Sequence, residues 1–184
     1  MKLSMAPPRL IYNNRKGEYN MNTPKMQQLV EQELLTSYNS LYRLAFTYVK
    51  NESDAMDIVQ ESAYKAIRNA SSVRNESYIR TWLWRIVINT SLEVLRERQR
   101  ETFSEFPQEQ GKEDIYPDFD TIDALDVLNE KERAVVVLRY FEDRKLQEIA
   151  DVLEENVNTV KSMLYRSLKK MKIKLTEGEL CHEP

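Results

Sequence analysis

The chain has 184 residues, of which 41% are apolar and 31% are charged, and its formal net charge at pH 7 is −3. Three glycines are too few for a turn-rich all-β fold, the single cysteine excludes an internal disulfide, and no apolar run approaches the ~20 residues that cross a bilayer. We therefore expect an all-α protein of one or two small domains that stays in the cytoplasm.

The two ends of the chain lie outside the predicted domains. Residues 1–25 are predicted to form a disordered extension. Met21 is expected to be the native start, because the run RKGE before it can be encoded by a purine-rich stretch that resembles a ribosome-binding site. The tail, residues 176–184, holds one cysteine and one histidine, Cys181 and His182. Two adjacent side chains cannot supply the four ligands of a structural zinc, so we assign neither a metal nor a cofactor.

Residues 26–100 have the apolar spacing of three helices. The first, residues 26–50, repeats apolar side chains at positions i, i+3, i+4 and i+7. Ser53 is predicted to cap the second helix, and the third covers residues 78–100. A polar loop, residues 69–77, separates the second helix from the third. We expect the three helices to share one core and to form the first domain.

An acidic segment follows the first domain. Between Glu101 and Asp126 there are nine acidic residues and one basic residue, Lys112. Two prolines and one glycine accompany them, so residues 101–121 are predicted to form a linker. Residues 122–175 contain four segments with helical spacing, which we expect to form a second small domain.

The last two helices of the second domain have the pattern of a helix-turn-helix. Residues 146–153 and 157–174 each carry an apolar stripe, and residues 154–156 form the turn between them. In this motif the second helix enters the major groove of duplex DNA. Between Asn158 and Lys174 there are six basic residues and no acidic ones, which favours DNA over the alternative of an ordinary solvated basic face. The predicted duplex contacts are Asn158, Thr159, Lys161, Ser162, Tyr165, Arg166, Lys169 and Lys170.

Residue chemistry alone leaves two features of the first domain open. Asp57, Gln60 and Glu61 lie opposite the apolar stripe of the second helix and form either a solvated acidic face or a docking face for a basic partner. No histidine accompanies them, which disfavours catalysis and metal binding. Trp82 and Trp84 cannot share a helix face, so we place Trp82 in the core and Trp84 outside it. There Trp84 either stacks on unpaired bases or covers an adjacent helix.

The motifs, in this order, resemble those of the extracytoplasmic-function (ECF) sigma factors, which are promoter-recognition subunits of bacterial RNA polymerase. The matching segments are DAMDIVQESAYKA from Asp54, TWLWRIVINT from Thr81, LQEIADVL from Leu146 and TVKS from Thr159. The resemblance covers about residues 35–173. It implies two small helical domains, sigma region 2 in residues 26–100 and sigma region 4 in residues 122–175, with no catalytic chemistry.

The resemblance also implies a role for each marked position. Asp57, Gln60 and Glu61 would dock on the coiled coil of the largest polymerase subunit. The side chains implied around the flipped base and separated strands of the minus-10 element are Lys65, Asn69, Val73, Arg74, Trp84, Arg85 and Asn89. The helix that begins near Asn158 would read the minus-35 duplex, and the linker would run through the active-site channel of the polymerase. A membrane-bound anti-sigma factor that controls a stress response is implied as a further partner.

Five positions depart from the family pattern. Asn158 stands where relatives often have glycine before TVKS, and because Asn tolerates left-handed backbone we expect the turn to survive. Met163 replaces a frequent arginine, which removes one expected DNA contact. Val73 and the pair Tyr78 and Ile79 replace the usual aromatic side chains around the base pocket, which leaves the minus-10 preference open.

Two rival functions remain at this point. A stand-alone helix-turn-helix repressor or activator would use the second domain in the same way, but it leaves Trp84 and the Asp57 face without a role. A helical enzyme built on Asp57 and Glu61 would need a partner base, a metal set or a phosphate loop, and the sequence offers none.

Overall fold

The computed structural model describes residues 23–102 and 119–180. The expectations for residues 1–22, for most of the linker, and for Cys181 and His182 lie outside these residues. Residues 23–25 of the predicted disordered extension are helical instead, and so are residues 176–180 of the predicted tail. Within the described part of the chain the regular structure is helical, without a β-strand, as the sequence predicts. None of the helices described is both long and apolar enough to cross a membrane.

Three long helices form the first domain. They are α1 (Thr23–Val49), α2 (Glu52–Arg68) and α3 (Ile79–Thr102), and two short 3-10 turns, Ala70–Ser72 and Glu76–Tyr78, replace the predicted polar loop. The cap of α2 differs from the prediction. The side-chain oxygen of Asn51, not that of Ser53, accepts the N–H of Asp54 at 3.0 Å, because α2 starts two residues earlier than expected.

The second domain contains the four predicted helical segments. In chain order they are α4 (Phe119–Ala124), α5 (Glu130–Val136), α6 (Leu146–Leu153) and α7 (Val157–Leu180). A 3-10 turn follows α4, and α5 continues into a π-helical turn, Val137–Phe141. Asn129 and Glu132 form a capping box at the start of α5, since each side chain accepts the backbone N–H of the other residue.

The two domains pack together around one apolar cluster, which the sequence does not predict. Buried side chains of both domains belong to this cluster, and α6 packs against α3. The Tyr48 hydroxyl of α1 donates to the carbonyl oxygen of Glu130 at 2.9 Å, and the Arg133 guanidinium donates to the carbonyl oxygen of Thr47 at 2.6 Å. Ion pairs join Arg43 to Glu142 and Lys50 to both Asp123 and Asp126.

Candidate nucleic-acid interface

Helices α6 and α7 form the predicted helix-turn-helix. α6 ends at Leu153, and Glu154 turns the chain in left-handed backbone, with φ 54° and ψ 39°. Asn158, where relatives often have glycine, lies instead in the first turn of α7, and its N–H donates to the side-chain oxygen of Asn156 at 2.7 Å. The turn therefore forms as expected, but its left-handed residue is Glu154. A non-glycine residue pays about 1–2 kcal/mol for that backbone.

The polar face of α7 is exposed from Asn158 to Lys174. All eight predicted duplex contacts are exposed, while Val160, Met163, Leu164 and Ser167 on the opposite face are buried. Met163 is only 6% exposed and belongs to the apolar cluster, so this position points away from the surface that would meet DNA. The structure thus brings the predicted duplex-reading side chains together on one free surface.

Lys170 differs from its neighbours on this surface because it is paired within the domain. Its ammonium donates to both carboxylate oxygens of Glu132, at 2.9 and 2.7 Å. Burial alone would raise the pKa of Glu132, but hydrogen bonds from Lys170 and from the Asn129 N–H, with the charges of Lys170 and Arg166, hold that pKa below its usual value. Sequence reasoning missed Glu132, although the spacing of Asn129 and Glu132 signals a capping box.

The acidic face of α2 is exposed as well. Asp57, Gln60 and Glu61 are exposed, and the apolar side chains of Met56 and Tyr64 are 41% and 59% exposed on the same side of the helix. No group of three or more His, Cys, Asp or Glu side chains among the described residues could hold a metal ion. An exposed mixture of acidic and large apolar side chains is suited to a protein partner.

The residues implied for the minus-10 element do not form one open surface. Three of them are exposed: Asn69, Arg74 and Asn89. Val73 is only 8% exposed. The Lys65 ammonium donates to the Thr90 hydroxyl at 3.2 Å and to the Glu93 carboxylate at 2.7 Å, so this cation is held against α3.

Trp84 is buried, and its predicted outward position is wrong. The side chain is 1% exposed and lies in the apolar cluster, whereas Trp82 is only partly buried. The Arg144 guanidinium stacks over the Trp84 ring, 6.0 Å from its centroid, just before α6 begins. Helix spacing placed Trp84 correctly off the Trp82 face, but it could not show that the second domain covers it. The alternative left open by the sequence, a tryptophan that covers another helix, describes this structure.

Arg85, the next residue, binds the end of α6. Its guanidinium donates to the carbonyl oxygens of Asp151 at 2.6 Å and Val152 at 3.1 Å, and it pairs with the Glu154 carboxylate. It also donates to the Tyr78 hydroxyl at 2.7 Å. These carbonyls are the unpaired acceptors at the negative end of a helix, where a cation is favourable.

Two protein-family models match the two domains in order. The model described as "Sigma-70 region 2" matches residues 34–101, and "Sigma-70, region 4" matches residues 119–171. The RNA polymerase sigma factor SigV of Bacillus subtilis is 48% identical over 145 residues, which are 76% of this chain and 86% of SigV. The chain belongs to the ECF sigma factors. It binds core RNA polymerase and directs promoter-specific initiation of transcription.

Other relatives agree with this sigma factor in sequence or in fold. The RNA polymerase sigma-E factor of Streptomyces coelicolor is 31% identical over 158 residues, 82% of this chain and 88% of that one. The sigma factor RpoE of Bartonella quintana, solved in complex with the anti-sigma factor NepR, has a TM-score of 0.66 at 22% identity. That match covers 79% of this chain and 96% of RpoE, and it supports the fold.

In the sigma factor, the contact between α3 and α6 therefore joins region 2 to region 4. Trp84 and Arg85 lie in the segment matched to region 2, and Arg144 and the carbonyl oxygens that bind Arg85 lie in the segment matched to region 4. The α7 surface predicted to read duplex DNA faces solvent while this contact is made.

Proposed function

We propose that residues 26–100 bind core polymerase and the minus-10 element, and that residues 122–175 read the minus-35 element as a duplex. The observation that carries this division is the free polar face of α7, on which the six side chains from Asn158 to Arg166 named above are exposed together. Residues 101–121 connect the two domains and follow the active-site channel of the polymerase.

In the minus-35 complex, the first turns of α7 enter the major groove. Arg166 and Lys161 are the cations suited to guanine O6 and N7, while Thr159 and Ser162 offer hydroxyls to bases or phosphates. Lys169, exposed one turn further on, contributes phosphate attraction, which sets affinity and salt dependence rather than sequence choice.

Minus-10 recognition requires α6 to leave α3. Trp84 cannot contact a base while it is 1% exposed, and the guanidinium of Arg85 is occupied by α6. The Trp84 indole N–H is buried without an acceptor among the described residues, a state that costs about 1–3 kcal/mol and is relieved when the domains separate. Separation on core polymerase then frees Trp84 and Arg85 to join Asn69, Arg74 and Asn89 around the unpaired strand.

The α2 face that carries Asp57, Gln60 and Glu61 docks on the coiled coil of the largest polymerase subunit. Its exposed carboxylates suit a basic partner, and Met56 and Tyr64 supply apolar contact area beside them. The sigma factor acts in the cytoplasm and supplies no catalytic chemistry of its own, because nucleotide addition belongs to the polymerase.

An anti-sigma factor is the expected regulator. One similar solved structure is a complex of this kind, RpoE with the anti-sigma factor NepR, and a second holds CnrH in complex with the cytosolic domain of CnrY. We propose a membrane-bound anti-sigma factor that holds this chain inactive until a stress signal arrives.

In vitro transcription with bacterial core polymerase and a randomised promoter library, read by RNA sequencing, tests the function. We expect transcripts from templates that share two short elements, and we expect Arg166→Ala to change the upstream element selected. Lys25→Ala, which removes an exposed cation from α1, is the control and should select the wild-type elements. Failure of the wild-type chain to bind core polymerase, or RNA from no template, would contradict the proposal.

A further inference from the structure

Glu132 is a carboxylate buried between two helices of the second domain. It occupies the third position of α5, where its side chain is 5% exposed, and it accepts the backbone N–H of Asn129 at 3.1 Å. The Lys170 ammonium of α7 contacts both carboxylate oxygens. A buried carboxylate without a cation is strongly destabilising, so the folded domain requires the Lys170 ammonium to stay beside Glu132.

A second ion pair joins the first turn of α5 to the chain near the start of α7. Lys131, next to Glu132 in α5, pairs with Glu155 in the turn that precedes α7. The first turn of α5 is therefore joined to this part of the chain at two points. One is Glu155, in the turn before α7 begins, and the other is Lys170, in the fourth turn of α7. Two separated points fix both the position and the rotation of a helix on its support.

Arg166 lies one helical turn before Lys170, near enough to Glu132 that its charge lowers the pKa of this carboxyl. The rotation that places Lys170 on Glu132 also sets the direction in which Arg166 projects from α7, because residues four apart lie on neighbouring parts of one helix face. The pair thus links the packing of α5 to the geometry of the duplex-reading side chains.

We propose that Lys170 is a positioning residue: its pair with Glu132 fixes the orientation of α7 in the major groove. The Lys170 ammonium neutralises Glu132 and does not contact a phosphate. The inference rests on the proposed minus-35 reading by α7. It assigns Lys170 a role different from that of Lys169, which is exposed and is the matched phosphate-contacting cation.

The test measures binding of full-chain holoenzyme, with bacterial core polymerase, to a selected promoter duplex and to a random duplex over a range of salt concentrations. Lys169→Ala should reduce the slope of log K against log salt by about 0.9 and leave the promoter-to-random ratio unchanged. Lys170→Met, which keeps the aliphatic stem, should leave the slope unchanged and lower that ratio about tenfold. Lys170→Arg, which keeps the pair, should restore the ratio.

Glu132→Gln separates the two possible roles of Lys170 most sharply. If Glu132 merely restrains a phosphate-binding lysine, Glu132→Gln frees that lysine and raises both affinity and salt slope, which would overturn the proposal. If the pair orients α7, Glu132→Gln lowers the promoter-to-random ratio as Lys170→Met does. The double variant, Glu132→Gln with Lys170→Met, then lowers this ratio no more than either single variant.

Two further measurements keep these outcomes distinct. Each variant should bind core polymerase with the affinity of the wild-type chain, since region 2 is unaltered. If Lys170→Met fails this check, Lys170→Gln takes its place. A wild-type holoenzyme that does not discriminate promoter from random duplex contradicts the proposed function itself. A discriminating wild type, with Lys170→Met reducing only the salt slope, contradicts the positioning role alone.

Discussion

The two surfaces proposed to contact DNA are in opposite states in one structure. The polar face of α7 is exposed from Asn158 to Lys174, whereas Trp84 and Arg85 of α3 are covered by α6, a helix of the other domain. The surface proposed to read the duplex is therefore accessible, and the surface proposed to hold the unpaired strand has to be uncovered. This difference fits the order of the two tasks, because a promoter is located as a duplex before its strands separate.

Arg85 and Arg166 show the contrast at the level of single side chains. The Arg85 guanidinium is bound to two backbone carbonyls and one carboxylate of region 4. The Arg166 guanidinium is exposed, and it donates a long hydrogen bond, 3.4 Å, to the carbonyl oxygen of Ser162 on its own helix. One arginine stabilises the packed domains, and the other is free to bind a base.

The largest effect should follow from removal of the buried tryptophan. Trp84→Ala should lower the free energy of unfolding by about 3–5 kcal/mol, because it empties a fully buried site between the domains. Urea unfolding followed by circular dichroism measures the change. Trp82→Ala is the matched control and should cost less, because Trp82 is only partly buried. Equal small losses for both variants would show that Trp84 is exposed in solution.

Loss of the Arg85 side chain should open the domains. Arg85→Met keeps the apolar stem but removes the charged hydrogen bonds to the end of α6, which are worth about 1.5–3 kcal/mol. We expect lower energy transfer between dyes at exposed positions 64 and 176 in the free chain. Arg74→Met, at an exposed position of the same domain, should leave the transfer at its wild-type value. Unchanged transfer in Arg85→Met would mean that this arginine does not hold the domains together.

Local features of the fold were readable from the sequence, and contacts between helices far apart in the chain were not. The stripe of α7 and the length of the turn before it follow from residue spacing, so the helix-turn-helix is predicted correctly. Burial of Trp84 and the pairing of Lys170 depend on side chains 60 and 38 positions away, Arg144 and Glu132. Periodicity shows which residues share a helix face, but it carries no information about which distant helix covers that face.

The exposed surface can be tested by its sequence selectivity. In holoenzyme, Arg166→Ala should weaken binding to the selected promoter by about 1–3 kcal/mol and change the preferred base at one position, because a bidentate contact to guanine is lost. Binding to random duplex should fall much less. Lys169→Ala serves as the comparison, since a lost phosphate contact weakens both complexes alike. Equal losses on both duplexes for Arg166→Ala would contradict base reading by this residue.

The smallest effect concerns the buried phenol at the domain interface. Tyr48→Phe removes the hydrogen bond to the Glu130 carbonyl and should cost about 1 kcal/mol at neutral pH. Burial raises the pKa of Tyr48, the charge of Arg133 opposes that rise, and the charge of Glu130 adds to it. A raised folded pKa means that the contribution of Tyr48 is complete below about pH 10 and is lost as the pH rises further, by up to ~1.4 kcal/mol per pH unit.

The advantage of the wild-type chain over Tyr48→Phe should therefore shrink above about pH 10 and vanish roughly one unit higher. The pKa of Lys50 is also raised in both proteins. Burial lowers this pKa, but the hydrogen bonds to Asp126 and Asp123 raise it by more. Its contribution consequently cancels in the difference between the two unfolding curves. Tyr140→Phe, which removes an exposed hydroxyl, is the matched control. A difference between wild type and Tyr48→Phe that stays constant up to pH 11 would place Tyr48 in water, and with it this part of the domain interface.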